Sequence, residues 1–295
     1  MHPPRLDRRR FLQTSAAALG LAASGGLHPS LACAEDKKDD PFGGFTLGVQ
    51  SYTFRNFDLE PALKRTRDLG LHHVEFFQKH APLDSSPAKI KAIRKLCKEY
   101  DVTPVAYGVQ GFTKDHDANK KVFEFAKQLG VKSLSADPTP DSFDSLDKLC
   151  AEYKIAIAIH PHGPIGKGQR HRWWSAETIL KAVKDHHPLI GSCLDTGHLI
   201  RMAQLGVLLD PAKEVLVMGK RNFGLHLKDH NNKKHTDVVY GKDGGVLDVP
   251  AVLKALRQVG FQGSISIEYE ANPQEPTADV RQCVAIFKES VKKLG

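Results

Sequence analysis

The five cysteines of this 295-residue chain include no CxxC pair. Cys97, Cys150 and Cys283 fall in helical patterns and Cys193 in a strand-like run, so these four read as buried thiols rather than a disulfide framework. After the N-terminal segment there is no apolar run long enough to span a membrane. No glycine-rich phosphate loop follows the first strand-like run: Gly48-Val-Gln-Ser-Tyr-Thr-Phe-Arg55 does not have that pattern, which argues against an open, doubly wound nucleotide-binding sheet. Basic residues alternate with acids along helical stretches and form no stripe with interleaved aromatics, so nucleic acid is not an expected partner. There is no low-complexity tract and no repeat beyond a simple alternation of elements. What remains, 41% hydrophobic and 26% charged residues, suits a soluble globular protein with a sizeable core.

The N-terminus has a layout of its own. Asp7-Arg-Arg-Arg-Phe-Leu-Gln13 resembles a twin-arginine export motif. A weakly apolar stretch follows from Thr14 to Ser24, and Ala32-Cys33-Ala34 has the small-residue form of a cleavage site. Residues 1–34 are therefore expected to be a signal peptide and 35–44 a charged linker, with the exported, periplasmic protein beginning after Ala34. Lipid anchoring at Cys33 is the less favoured alternative, because Ser30 stands where a branched apolar residue is wanted. The segment carries four arginines against one aspartate, so about +5 of the formal +8 charge belongs to the remainder.

From residue 45 onward, strand-like apolar runs alternate with amphipathic helical patterns. Strands are expected near 45–53, 71–77, 102–107, 131–135, 154–160, 189–195, 222–228 and 263–269. Helices are expected near 58–69, 87–100, 116–129, 141–153, 175–186, 199–219 (broken at Asp210-Pro211), 249–259 and 276–293. Leu69-Gly70, Leu129-Gly130 and Val259-Gly260 read as helix ends before a strand. Eight such units in one stretch of this length predict a single-domain α/β fold, a (β/α)8 TIM barrel over 45–295.

Four of the strand-like runs end in a residue that can ligate a metal: Ile155-Ala-Ile-Ala-Ile-His160, Ile190-Gly-Ser-Cys-Leu-Asp195, Phe223-Gly-Leu-His226 and Ser264-Ile-Ser-Ile-Glu268. A parallel barrel gathers the C-terminal ends of its strands at one face, so His160, Asp195, His226 and Glu268 are expected to converge on one divalent ion. Lys228 lies two residues after His226, on the same side of the strand, and would be a costly buried cation unless it met a carboxylate or a polar substrate. Glu270 repeats that spacing after Glu268 and is expected to be solvated in the loop. His162 and His198 are candidates for the same pocket, Glu75 for a polar substrate contact, and Trp173, beside Trp174, for stacking on a sugar ring.

Together, Leu47-Gly-Val-Gln-Ser-Tyr52, Val74-Glu75, Leu194-Asp-Thr-Gly-His198, His226-Leu-Lys-Asp229, Gly241-Lys-Asp-Gly-Gly-Val-Leu-Asp248 and Ser266-Ile-Glu-Tyr-Glu270 resemble the sugar phosphate isomerase/epimerase family, which has a xylose-isomerase-like TIM barrel. The resemblance covers essentially all of 45–293. It implies one divalent ion (manganese, zinc, iron, cobalt or magnesium) held by Glu, Asp, His and Glu, with the two glutamates also acting as an acid/base pair. Asp195, His226 and Glu268 match three of these positions, and His198 matches a polar position that touches substrate or a further metal. His160 stands where the family has its other glutamate. Imidazole can replace carboxylate as a ligand, but a metal-bound histidine has no lone pair left to take a proton.

The resemblance thus implies a metal-dependent isomerase or epimerase of a small sugar or keto-sugar, working through an enediolate, with Glu268, His160 and Lys228 as catalytic residues; the export reading makes that sugar non-phosphorylated. A lyase or hydratase on a 3-keto-glycoside or inosose, and a non-catalytic sugar-binding barrel, are the alternatives. The wider superfamily also includes three-zinc DNA-repair nucleases. Asp195-x-x-His198 suits them, but Asp237-Val-Val239 stands where Asp-x-His is needed, and a nuclease is not expected.

Overall fold

The computed structural model describes residues 40–295, Lys167 excepted. The expected signal peptide and most of the expected linker lie outside the described residues. Eight parallel strands close into a barrel: β1 (Thr46–Gln50), β2 (His73–Phe76), β3 (Thr103–Phe112), β4 (Ser133–Pro138), β5 (Ala156–Ile159), β6 (Ile190–Asp195), β7 (Asn222–Leu227) and, after a small hairpin, β10 (Ser264–Ile267). Around the ring they run β1-β10-β7-β6-β5-β4-β3-β2, and every neighbouring pair is parallel. The return segments carry α1 (Leu59–Asp68), α2 (Pro87–Glu99), α3 (His116–Leu129), α4 (Phe143–Tyr153), α5 (Ala176–Val183), α6 (Thr196–Arg201), α7 (Pro211–Met218), α8 (Val249–Gln258) and α9 (Thr277–Lys292). The expected TIM barrel is therefore the fold.

Local chemistry explains the junctions. Ser86 and Asp115 cap α2 and α3 by accepting the N–H groups of Lys89 and Ala118. Ser175 and Thr178 form a reciprocal capping box on α5. Gly130 ends α3 at φ +87°, where any side chain would be strained. Apolar residues of both layers, such as Val49, Ile157, Ile159, Leu225, Ile265 and Phe287, form one continuous core. The four described cysteines are buried free thiols, as expected. Among the described residues no helix is long and apolar enough to cross a membrane.

Three departures from the sequence expectations matter. The break expected at Asp210-Pro211 is present, but the helix before it is shorter and earlier than expected: α6 starts at Thr196 with no loop after β6, because Asp195 is both the last strand residue and the helix cap. A turn at Met202–Leu205 and Gly206 (φ +72°) stop it, and Asp210 caps α7. β3 runs on to Phe112, pairing with the end of β4. Beyond β7, β8 (Asp229–Asn231) and β9 (Thr236–Val238) form an unexpected antiparallel hairpin. The buried Asp229 carboxylate anchors the following loop by accepting the N–H groups of Gly241, Val246 and Leu247.

Candidate metal centre at the barrel mouth

The chain's four strand-end donors meet as expected. His160 follows β5 directly, Asp195 ends β6, His226 lies next to the end of β7, and Glu268 follows β10 directly. One donor atom from each lies within 4.8 Å of the others, and all four residues are buried. His160 Nε2 is 3.0 Å from His226 Nδ1 and 3.4 Å from Asp195 Oδ2, and His226 Nδ1 is 3.3 Å from Glu268 Oε2. The strands that carry them, β5, β6, β7 and β10, are consecutive around the ring.

The donors suit a divalent first-row cation. Two imidazole nitrogens and two carboxylate oxygens face one small volume, a mixed set that such ions accept. Asp195 Oδ1 accepts the His198 N–H at 2.6 Å, while its buried Oδ2 has no hydrogen-bond donor. A buried carboxylate oxygen without a donor is costly unless a cation lies close to it. Lys228 supplies part of that compensation: its Nζ is 2.8 Å from Glu268 Oε2, 3.4 Å from Asp195 Oδ2 and 2.5 Å from Glu270 Oε1. Gly197 makes room for it, since a Cβ there would come within 2.6 Å of the Lys228 stem.

Burial by itself would keep these groups neutral, but their mutual charges outweigh it. Against burial, the Lys228 ammonium above all holds Asp195 well below the usual carboxylate range. Lys228 and His226 likewise hold Glu268 down. Asp195, Glu268 and Glu270 raise Lys228 well above its ordinary value, again against burial, so it stays an ammonium.

Around this cluster, His162 and His198 stand where the sequence suggests. Their rings lie 5.0 Å apart, and the His160 ring is 4.9 Å from His162 and 5.4 Å from His198. Burial, followed by His160 and His171, pushes His162 down to about 3. Burial likewise lowers His198 well below its ordinary value, so both rings are neutral near pH 7. Because His198 Nδ1 accepts the Gly163 N–H at 3.0 Å, its own proton sits on Nε2. In that tautomer His198 can donate from Nε2; ligand atoms of His160, His162 and His198 also lie within 4.8 Å of one another, a second group that could hold an ion.

One expectation is corrected, and one residue lies deeper than expected. Trp173 is only 4% exposed: its indole N–H donates to the Pro138 carbonyl at 3.0 Å and its ring packs edge-on against Phe143. It is a packing residue, because a satisfied N–H and a covered ring leave no face for a sugar. Glu75 is 1% exposed and lies behind His226, accepting from His226 Nε2 at 3.0 Å and from Ser266 Oγ at 2.8 Å. The contacts of Oε2 are with the back of the imidazole, and its Oε1 has no hydrogen-bond partner.

Glu270, expected in solvent, is partly exposed but ion-paired with Lys228. Its backbone N–H donates to Asp237 Oδ2, and its carbonyl accepts from Arg55, whose guanidinium lies over the Tyr52 ring. The spacing from Glu268 was the one sequence signal for this role. Asp237, Arg55 and Ser266 had none.

A closed parallel barrel with a mixed imidazole and carboxylate cluster at its strand ends defines a TIM-barrel protein built around that mouth. The chain belongs to the xylose isomerase-like TIM barrel family, whose model matches residues 63–289. A comparison with curated proteins gave no match. Solved structures do match. A putative uncharacterized protein from Parabacteroides distasonis is 28% identical, with TM-score 0.64, covering 85% of this chain and 100% of its own. A D-tagatose 3-epimerase-like protein is 19% identical, with TM-score 0.65, covering 85% and 98%. A 3-keto-D-glucoside 4-epimerase from E. coli is 16% identical, with TM-score 0.62, covering 83% and 99%.

Proposed function

We propose that the protein is a metal-dependent isomerase or epimerase of a small, non-phosphorylated sugar or keto-sugar, exported through its N-terminal signal. The observation that carries this is the convergence of His160, Asp195, His226 and Glu268 on one small volume, with Lys228 beside it. The barrel shared with sugar epimerases supports the carbohydrate class. A divalent ion held by the four donors supplies Lewis-acid polarisation of neighbouring sugar oxygens.

The remaining chemistry belongs to the chain. Glu268, kept ionised by Lys228, takes the proton from the carbon beside the carbonyl and generates the enediolate. The Lys228 ammonium, compensated by three carboxylates, stabilises negative charge that develops on oxygen. His198 donates from Nε2 to a substrate oxygen, and the neutral His162 lines the same wall. His160 acts as a ligand and not as the opposing base.

One feature favours a lyase or hydratase on a 3-keto-glycoside or inosose as the second reading. With His160 in the ring of donors, Glu268 is the only carboxylate among the four free of a helix-capping role, and a single proton-transfer group suffices for elimination. Incubation of the metal-replete protein with keto-sugars in D₂O, followed by NMR, separates the readings. Deuterium incorporation with an isomeric product supports the first, and loss of water or an aglycone supports the second. Binding with neither exchange nor product sinks both in favour of a sugar-binding barrel.

A further inference from the structure

β2 and β7 are not neighbours: β1 and β10 stand between them in the ring. The 3.0 Å contact between Glu75 Oε2 on β2 and His226 Nε2 on β7 therefore crosses the barrel interior. Such interiors are normally filled by branched apolar side chains, so a carboxylate at 1% exposure needs a reason to be there. Ser266, paired in register with His226 on the adjacent strand, donates its hydroxyl to the same Glu75 oxygen at 2.8 Å and so fixes the carboxylate. On the other edge of the imidazole, Nδ1 faces His160, Glu268 and Asp195.

We infer that Glu75 is a positioning residue: it holds the Nε2 proton of His226 toward the barrel interior and so aims the Nδ1 lone pair at the metal centre. This rests on the metal-site reading above. A carboxylate behind a ligating histidine fixes its tautomer and orientation and makes the ring a stronger donor. The competing assignment is a second, deeper ion held by Glu75, Cys193 and His226, whose donor atoms also lie within 4.8 Å of one another. The two assignments exclude each other on one neutral ring, because the deeper ion would need the Nε2 lone pair and would put the proton on Nδ1. The upper cluster offers four donors and the lower three. Glu75 Oε2 faces His226 Nε2 and accepts from Ser266, while its Oε1 has no hydrogen-bond partner; the larger donor set above is what favours the positioning role.

The test is isothermal titration of Mn²⁺ and Zn²⁺ into chelator-stripped protein, with folding checked by circular dichroism. Asp195→Ala should abolish tight binding. Glu75→Gln should weaken it about 10-fold, and Glu75→Leu about 100-fold. Ser266→Ala, which removes only the hydroxyl behind Glu75, should weaken it a few-fold even if the Glu75 variants fold poorly. Cys193→Ala should bind within twofold of wild type. In the zinc-loaded protein, ¹⁵N NMR should find the His226 proton on Nε2. Wild-type affinity in the Glu75 and Ser266 variants would overturn the positioning role while leaving the metal centre intact. Loss of binding in Cys193→Ala would establish the deeper site instead. Failure of the wild-type protein to bind either ion would overturn the metal-centre reading and this inference with it.

Discussion

Replacing Lys228 with methionine is the sharpest test of how the centre is held together. The ammonium is 2% exposed and meets Asp195, Glu268 and Glu270 at 3.4, 2.8 and 2.5 Å. Methionine keeps most of the stem's packing against Gly197 and removes the charge. Asp195 and Glu268 are then buried carboxylates without their main counter-charge. Removing one partner of a buried ion pair costs about 3–5 kcal/mol, a large share of the roughly 5–15 kcal/mol that stabilises a typical protein. At roughly 2–4 °C per kcal/mol for a domain near this size, the melting temperature in EDTA should fall by about 10 °C.

The loss should be greater at pH 8 than at pH 5. Removing Lys228 takes away the largest counter-charge on both carboxylates, so burial pushes their folded-state pKa values up. Raising the pH then ionises the unfolded chain first and draws the equilibrium toward it. A divalent ion at about a thousandfold its Kd should return about 4 kcal/mol, because the ion takes over as counter-charge. Lys64→Met, which breaks the exposed Lys64–Asp68 pair, is the control and should cost no more than about 0.5 kcal/mol. If Lys228→Met melted in EDTA within 2 °C of wild type, the electrostatic account of the site would be wrong. So would it be if, at one free-ion concentration, added ion stabilised the variant no more than wild type.

Other consequences can be measured separately. Between pH 6.5 and 5 the folded chain keeps His162 neutral while the unfolded chain protonates it. That single group, held at about 3, should remove roughly 2 kcal/mol of stability by pH 5. Urea unfolding of wild type against His162→Gln checks the difference, and equal pH dependence would show that the ring is not buried neutral. The carboxylates, with depressed pKa values, lose their contribution only below about pH 4.5. Trp173→Phe should cost about 1–3 kcal/mol through the lost Pro138 hydrogen bond and leave sugar affinity unchanged; a large rise in KM with normal stability would restore the stacking role. Mass spectrometry of the protein secreted by a host with a twin-arginine system should find Glu35 as the first residue, and an intact N-terminus would refute the export reading.

The barrel was legible because its strand runs are apolar and its helices periodic, and the four donors because each terminates such a run. Depth inside the barrel was not legible. Glu75 looks like any strand-end acid until strand tilt brings it under a histidine 151 positions away. Trp173 lies in a loop whose path is set by a distant carbonyl, and local pattern carries no trace of that. The β8–β9 hairpin has strands of three residues, too short for alternation to register. Glu270 keeps much of its expected exposure, but its ion pair with Lys228 was not legible, because spacing reports which side of a strand a residue faces, not how far a neighbouring lysine reaches. His198 was correctly assigned to the pocket, but its donor role depends on one backbone N–H in a loop 35 residues earlier.

The arc formed by β10, β7, β6 and β5 has a consequence for how this chain can change. All four donors, with Lys228 and Glu270, come from residues 160–270, and the carboxylate that the first four strands bring to the cluster is Glu75. The segment after β1 reaches this arc through Arg55, which donates to the Glu270 carbonyl, and none of the four donors lies in the loops that follow β1 to β4. On the function proposed above, exchanging those loops for a relative's should alter which sugar fits while leaving the four donors untouched, so reaction and substrate choice could be engineered in separate halves of one gene.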